Sequence, residues 1–340
     1  MTRLCGCRGI DVHCHVVPSE FAPYLKGAPP SNWPSMMARD ACHRTIVIDG
    51  KNYRTVSDAC WDSQRRMDDM DRMGIKTQAL SPMPELFNYW MDIDPANDLI
   101  HYLNDTIATM ASTSGGRFVG LGSVPLQDVD KAIDELRRCM RDLGFSGVEI
   151  GSNINGIPIG DPRFLPFFAE AEALGSAVFV HAVRPTGMDR LVGPGQLQQV
   201  LAYPTDVGLA AASVITANLM LKHPRLRLAF SHGGGTLASL LPRLDEGWKV
   251  FPALRETILE EPSIQAKRLY YDALVYDEPT LRHLVSMFGD ERVILGTDYP
   301  FNFHEKAPLA RIEAAFGDDL TRDRLTFSNA EAFLALEAQS

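Results

Sequence analysis

The chain is short of the features that would send a 340-residue sequence to several large functional classes. It has no Cys-x-x-Cys pair, and its six cysteines, Cys5, Cys7, Cys14, Cys42, Cys60 and Cys139, are scattered. A chain of this length needs no disulfide staples, so they read as free thiols in a reducing cytoplasm. Cys5 and Cys7 would suit a soft metal, but no partner pair follows them. There is no run of Lys or Arg, and 43 acidic residues outnumber 33 basic ones for a net charge of −10. Such a chain has no general field for nucleic acid, and any anionic ligand must be held by a few local cations. No segment reaches the roughly 20 apolar residues that cross a bilayer. Met1-Thr2-Arg3 opens no apolar run of the signal-peptide kind, so the expectation is a cytoplasmic protein that binds no membrane. Internal repeats and low-complexity tracts are also missing.

What is present is a regular alternation of short apolar runs with helical patterns. The first run, Ile10-Asp11-Val12-His13-Cys14-His15, ends in two histidines two residues apart. Residues i and i+2 of a strand share a side, so His13 and His15 aim their imidazoles at one point. Residues 16–60 are rich in proline and polar residues; Asp49-Gly50 between two extended runs is a hairpin signal. This predicts a small hairpin insertion over the mouth of whatever the first strand feeds. Helix follows over 63–73, with Met67, Met70 and Met73 on one face as core packing and Gly74 as its stop.

Strands are then expected at 77–81, 118–124, 147–150, 177–181, 226–232, 269–273 and 293–298. Helices are expected at 95–114, 128–143, 162–174, 206–221, 236–248, 279–288 and 308–336. Eight strands alternating with helices predict a closed (β/α)8 TIM barrel, one α/β domain over residues 1–340 with the insertion at 16–60. An open doubly wound sheet normally shows a glycine-rich phosphate fingerprint after its first strand, where this chain has His-Cys-His.

Functional groups of such a barrel sit at the C-terminal strand ends. Those ends carry His13 and His15, His181, His232 and Asp298. Three imidazoles and a carboxylate suit one divalent cation, zinc first and manganese second. His13, His15, His181 and Asp298 are assigned as its ligands. His232 then stands beside the metal as a base for water whose acidity the metal raises; the alternative is a further nitrogen ligand. Asp298 has a second role in accepting or returning a proton. Gly233-Gly234-Gly235 reads as a sharp turn rather than a phosphate cradle.

Taken together, His13-x-His15, His181, His232-Gly-Gly-Gly and Gly296-Thr-Asp298-Tyr-Pro resemble the amidohydrolase superfamily. More narrowly they resemble aminocarboxymuconate-semialdehyde decarboxylase and its relatives. Asn52-Tyr53-Arg54 with Trp61-Asp62, Val124-Pro125-Leu126-Gln127-Asp128 and Gly289-Asp290-Glu291-Arg292-Val293 extend the likeness over nearly the whole chain. The resemblance implies a metal-dependent barrel enzyme with no organic cofactor, often a homodimer, in which Arg54 and Arg243 bind substrate carboxylates. The second arginine can come from the neighbouring subunit. A guanidinium fork suits bidentate carboxylate binding in any case. One departure stands out: the decarboxylase has His-Pro-Trp-Asp after its fifth strand, and this chain has His181-Ala182-Val183-Arg184-Pro185. Arg184 is therefore a third candidate for holding an anionic group.

The expected activity is non-oxidative decarboxylation of a small unsaturated or aromatic carboxylic acid. The same ligand set would also serve a deaminase, lactonase, amidohydrolase or hydratase acting on an aromatic catabolite. A non-catalytic binding barrel is the third alternative.

Overall fold

The structure, a computed structural model, describes residues 8–336. The expectations for Met1-Thr2-Arg3, Cys5 and Cys7 fall outside the described residues. The eight predicted strands form one sheet in sequential order: Gly9–Val16, Ile75–Pro82, Phe118–Gly122, Gly147–Gly151, Ala177–His181, Arg227–Phe230, Tyr270–Asp272 and Val293–Ile294. Neighbours pair in parallel throughout. The circle closes where the chain after the eighth strand returns to the first. Val12 N donates to Leu295 O at 3.0 Å, His15 N to Tyr299 O at 2.7 Å, and Cys14 bridges Tyr299. This is the TIM barrel read from the alternation. The eighth strand itself is two residues long, because 295–299 leaves regular geometry as it bends toward the mouth.

Helix boundaries follow local chemistry. Asp62, Asp128 and Asp277 cap the helices Ser63–Met73, Val129–Arg141 and Glu278–Phe288, each side chain accepting a backbone N–H. Gly74 ends the first of these in the left-handed conformation at φ 75°. Two expected helices are interrupted. The 206–221 helix starts earlier, as Tyr203–Thr216, and breaks at Asn218 (φ 57°) before Leu219–Lys222. The tail is a series of short segments, Pro308–Ala315, Asp319–Asp323, Arg324–Ser328 and Asn329–Leu334, because Gly317-Asp318 stops the first and caps the second.

The insertion is larger than the hairpin expected. Its turn is as predicted, with Asp49 and Gly50 both at positive φ (53° and 68°). His43–Ile48 and Lys51–Ser57 pair across it, but Ser35–Ala38 adds a third antiparallel strand. That strand is largely exposed, so the alternation that betrays a half-buried strand was never there to read. The small sheet is fastened by Ile46 and Val56, which pack on Met83, Leu86, Leu99 and Leu103.

The barrel interior is apolar at one end. Ile10, Val12, Phe179 and Ile294 pack there against Phe333 and Leu334 of the last helix, which stops that end. A larger layer, including Met70, Val148, Val178, Leu228 and Phe230, fills the space between strands and helices, as the methionine stripe implied. Cys14, Cys42, Cys60 and Cys139 are free thiols. No helix among the described residues is long and apolar enough to cross a membrane.

Candidate metal centre

The first and last strands are sewn together beneath the mouth by one buried carboxylate. Asp11 accepts from Thr297 Oγ1 at 2.7 Å, from Thr297 N at 3.1 Å, from Gln78 Nε2 at 3.0 Å and from His13 N at 3.2 Å. Buried Arg66 donates to Gln78 Oε1 and to the His15 carbonyl. Asp298 N in turn donates to the His13 carbonyl at 2.8 Å. The backbones bearing His13, His15 and Asp298 are thereby held in one register. Gly296 permits the close approach: a Cβ there would sit 2.9 Å from the Cβ atoms of both His13 and Asp272.

On this frame His13, His15, His181 and Asp298 converge, with one potential ligand atom from each lying within 4.8 Å of all the others. The imidazole centroids of His13, His15 and His181 are 5.0–5.1 Å apart. His15 Nε2 is 3.0 Å and His13 Nε2 3.5 Å from Asp298 Oδ1. Neither contact is aligned as a hydrogen bond; the Nε2 atoms of His13, His15 and His181 are all buried and have no hydrogen-bond partner among the described residues.

The opposite ring nitrogens are occupied. His13 Nδ1 lies 2.6 Å from Asp272 Oδ2, and His181 Nδ1 donates to the Ala182 carbonyl at 2.8 Å. His15 Nδ1 faces Ser81 Oγ at 3.5 Å and Glu149 Oε2 at 3.8 Å. Donation from Nδ1 leaves the Nε2 lone pair free, and leaving three such lone pairs buried and unpaired is costly. A divalent cation satisfies all three at once, with Asp298 supplying charge, so the donor set fits a metal.

The electrostatics agree. Burial pushes His15 down to about 4, and burial with the surrounding imidazoles pushes His181 well below its usual value. Burial opposes ionisation of Asp298, but His13 and His15 outweigh it and hold the carboxyl well below the usual range. Burial also lowers His13, but Asp272 and Asp298 outweigh it and raise it; a field that favours a proton there favours a cation.

His232 stands beside this cluster, its ring centroid 5.3 Å from His13 and 5.1 Å from His181. It sits at φ 54°, followed by Gly233, Gly234 and Gly235, all at positive φ. A Cβ on Gly235 would fall 1.8 Å from the Pro204 carbonyl oxygen, so the triplet is a turn made by close backbone approach. Burial and the nearby His13 lower the His232 pKa, which keeps it neutral.

Above the cluster opens a cavity of about 270 Å³ lined by His15, His181, His232 and Asp298 and, farther out, by Tyr53, Arg54, Glu85, Tyr203 and Phe301. Among the described residues no carboxylate lies within salt-bridge reach of Arg54. Its guanidinium rests 4.5 Å over the Phe301 ring. Arg184 lies elsewhere: it pairs with Glu85 at 3.1 Å, stacks on Trp90, and borders a neighbouring cavity with Ser152 and Asp206. Arg243 is exposed on the helix Leu237–Val250 and does not line the cavity of its own chain.

Asp272, Glu149 and Glu85 were not singled out by sequence reasoning. Asp272 closes the seventh strand and Glu149 lies in the fourth, so a search of every strand for acidic groups, not histidines alone, would have found both. Glu149 is buried, neither oxygen is hydrogen-bonded among the described residues, and burial lifts it to about 8.

The profile of the amidohydrolase family matches residues 10–336. The chain is 36% identical to 2-amino-3-carboxymuconate-6-semialdehyde decarboxylase of Dictyostelium discoideum, over 96% of this chain and 92% of that one. Its fold matches the apo structure of IDCase from Metarhizium anisopliae with a TM-score of 0.82, covering 98% of both chains at 20% identity. A mutant 5-carboxyvanillate decarboxylase from Novosphingobium aromaticivorans, solved with bound manganese, matches with a TM-score of 0.73 at 26% identity, over 82% of this chain and 83% of that one.

Proposed function

The chain belongs to the amidohydrolase family, and on that premise we propose that it is a metal-dependent carboxy-lyase that removes CO2 from a small unsaturated or aromatic carboxylic acid. The observation that carries this reading is a coincidence at one barrel mouth: three buried imidazole nitrogens without hydrogen-bond partners and, in the cavity above them, an arginine with no carboxylate in salt-bridge reach, among the described residues. The first is a metal site in waiting; the second is a carboxylate site in waiting.

His13, His15, His181 and Asp298 are the ligands in this reading, and zinc is the resident ion, with manganese as the alternative. Bound there, the cation would supply Lewis acidity to an oxygen of the substrate or to water. Arg54 binds a substrate carboxylate through its fork, steadied by Phe301 beneath it. His232, neutral near pH 7, takes a proton on its free ring nitrogen from water or from a substrate hydroxyl. The C–C bond to the carboxylate then breaks, its electron pair stays on the carbon left behind, and CO2 departs. His232 returns its proton to that carbon, directly or through Asp298, which first accepts it from His232 and passes it on.

Residues 1–340 act as one domain, with 16–60 as the insertion that brings Arg54 to the mouth. A homodimer accounts for Arg243. It lies on a surface where Leu240, Val250 and Phe251 are also exposed, an apolar face suited to a second copy that would receive the arginine at its own cavity. We also propose a cytoplasmic location, which the free thiols of Cys14, Cys42, Cys60 and Cys139 support. The test is a metal-analysed sample given aminocarboxymuconate semialdehyde and a panel of hydroxybenzoates, with CO2 and ammonia both followed. CO2 release that stops on chelation and returns with metal is expected. Ammonia, or a ring-opened acid without CO2, would replace the lyase reading with a hydrolase.

A further inference from the structure

Two loops meet over the cavity and carry a charge pair that the metal and Arg54 do not use. The loop after the second strand contributes Glu85, in the single turn Pro84–Phe87, and then Trp90. The loop after the fifth strand contributes Arg184. The Arg184 guanidinium carbon sits over the Trp90 ring, 3.1 Å from its centroid, and the guanidinium donates to Glu85 Oε1 at 3.1 Å. Arg184 holds φ 38°, a left-handed conformation that a non-glycine residue adopts at a cost and keeps only when its surroundings insist. The stack and the ion pair are that insistence.

The two partners face different ways. Arg184 is half exposed (48% of its side chain) and borders the neighbouring cavity, whereas Glu85 is 13% exposed and lines the catalytic one. Glu85 makes a single hydrogen bond, to Arg184, so its second oxygen has no partner among the described residues. A carboxylate oxygen that faces a cavity from a mostly buried side chain is a strong acceptor for a donor placed there. Arg54, which has no carboxylate within salt-bridge reach among the described residues, is close enough to feel Glu85.

We propose that Glu85 is a specificity-determining residue that accepts a hydrogen bond from a hydroxyl or amino group of the substrate, and that Arg184, clamped on Trp90, is the positioning residue that holds it. This rests on the reading of the cavity as a carboxylic-acid site. It narrows the substrate class to an acid whose ring or unsaturated chain bears a hydrogen-bond donor away from the carboxylate that Arg54 holds. A site built to hydrogen-bond a donor rejects the analogue lacking one far more strongly than an apolar wall could, since a bound ligand then covers the acceptor and leaves it unpaired. A cavity of about 270 Å³ admits one six-membered ring with such substituents.

The test is binding, not turnover. Metal-loaded full-length protein is titrated calorimetrically with ortho-, meta- and para-hydroxybenzoate and, for each, the matching methoxybenzoate, which cannot donate. In the wild type at least one hydroxy acid binds about 10- to 100-fold tighter than its methoxy partner. In Glu85→Leu that ratio falls to about one. In Arg184→Ala, a change at a half-exposed side chain, it falls several-fold. A merely structural role would weaken both members of each pair alike and leave the ratio intact, which overturns the proposal. So does a wild type that does not distinguish the pairs. Because no CO2 is measured, failure of the lyase reading and failure of this one are separate results.

Discussion

The inner ring of the cavity and its outer wall are built on different principles. In the inner ring, His13, His15 and His181 are buried on strands, their Nδ1 atoms facing Asp272, Ser81 with Glu149, and a carbonyl. The rings have one orientation left to them, and it points three Nε2 atoms at a common place. The outer wall is made of loops and an added sheet: Arg54 on the insertion strand Lys51–Ser57, Glu85 on a single turn, Arg184 beyond the fifth strand. These side chains are partly exposed and hold one another, or rest on aromatic rings. Chemistry that must place a metal and a proton within fractions of an ångström needs the first kind of construction, and choice among substrates needs only the second. Substitutions in the ring should therefore change metal content or kcat, and substitutions in the wall should change KM and preference.

The sharpest way to break that division is His232. Its replacement by Asn should lower kcat by roughly 10²- to 10⁴-fold while bound metal per chain stays at the wild-type level. Loss of metal in step with activity would make it a ligand instead. The same residue, if it is the base, should set the acid limb of the pH profile. As a base it must be neutral, and its pKa is lowered by burial and by His13, so kcat/KM should hold as pH falls to 6.5 and break only below that. A break above 6.5 would point to another group.

Next in size is Asp272, which the division counts with the ring although it touches no substrate. Asp272→Asn keeps an oxygen to accept from Gly233 N, now at 2.8 Å, but removes the charge behind His13 Nδ1. Metal affinity, measured by competition with a chromogenic chelator, should fall roughly 10- to 100-fold. If affinity is unchanged, the anchoring of Nδ1 is incidental to the site.

The ring was legible in the sequence because it obeys strand arithmetic. His13 and His15 two apart on the first strand, His181 closing the fifth, and His232 and Asp298 just past the ends of the sixth and eighth mark both the barrel and its working end. The wall was much less so. Arg54 is one of many arginines until the insertion folds over the mouth, and nothing in Met83-Pro84-Glu85 announces that Glu85 meets a residue 99 positions away. Asp272 and Glu149 hid for a different reason: both belong to buried strands, Glu149 at the middle of one and Asp272 at the end of another, where an acid looks like an interruption of the pattern. The third insertion strand, Ser35–Ala38, lies mostly in solvent and carries no alternation at all.

Arg54 tests the wall directly. Arg54→Ala should raise KM for a carboxylate substrate roughly 10- to 100-fold, the worth of a charge-assisted pair, with a small change in kcat and none in metal content. A fall in kcat at unchanged KM would move Arg54 into the reacting group and blur the division.

The smallest effect should come from loosening the wall without touching any side chain in it. Gly50 holds φ 68° at the tip of the hairpin that carries Arg54, with open space around it, so Gly50→Ala meets no neighbour and suffers only the left-handed backbone. That costs about 1 kcal/mol, which in a chain of this size is roughly 1–3 °C in Tm if the hairpin melts with the barrel. The instructive outcome is which property follows. If the insertion only carries the wall, KM rises slightly while metal content and the pH profile stay where they were. If metal affinity falls as well, the added sheet braces the inner ring through Met83 and Leu86 at the end of the second strand, and the two regions are one mechanical unit after all.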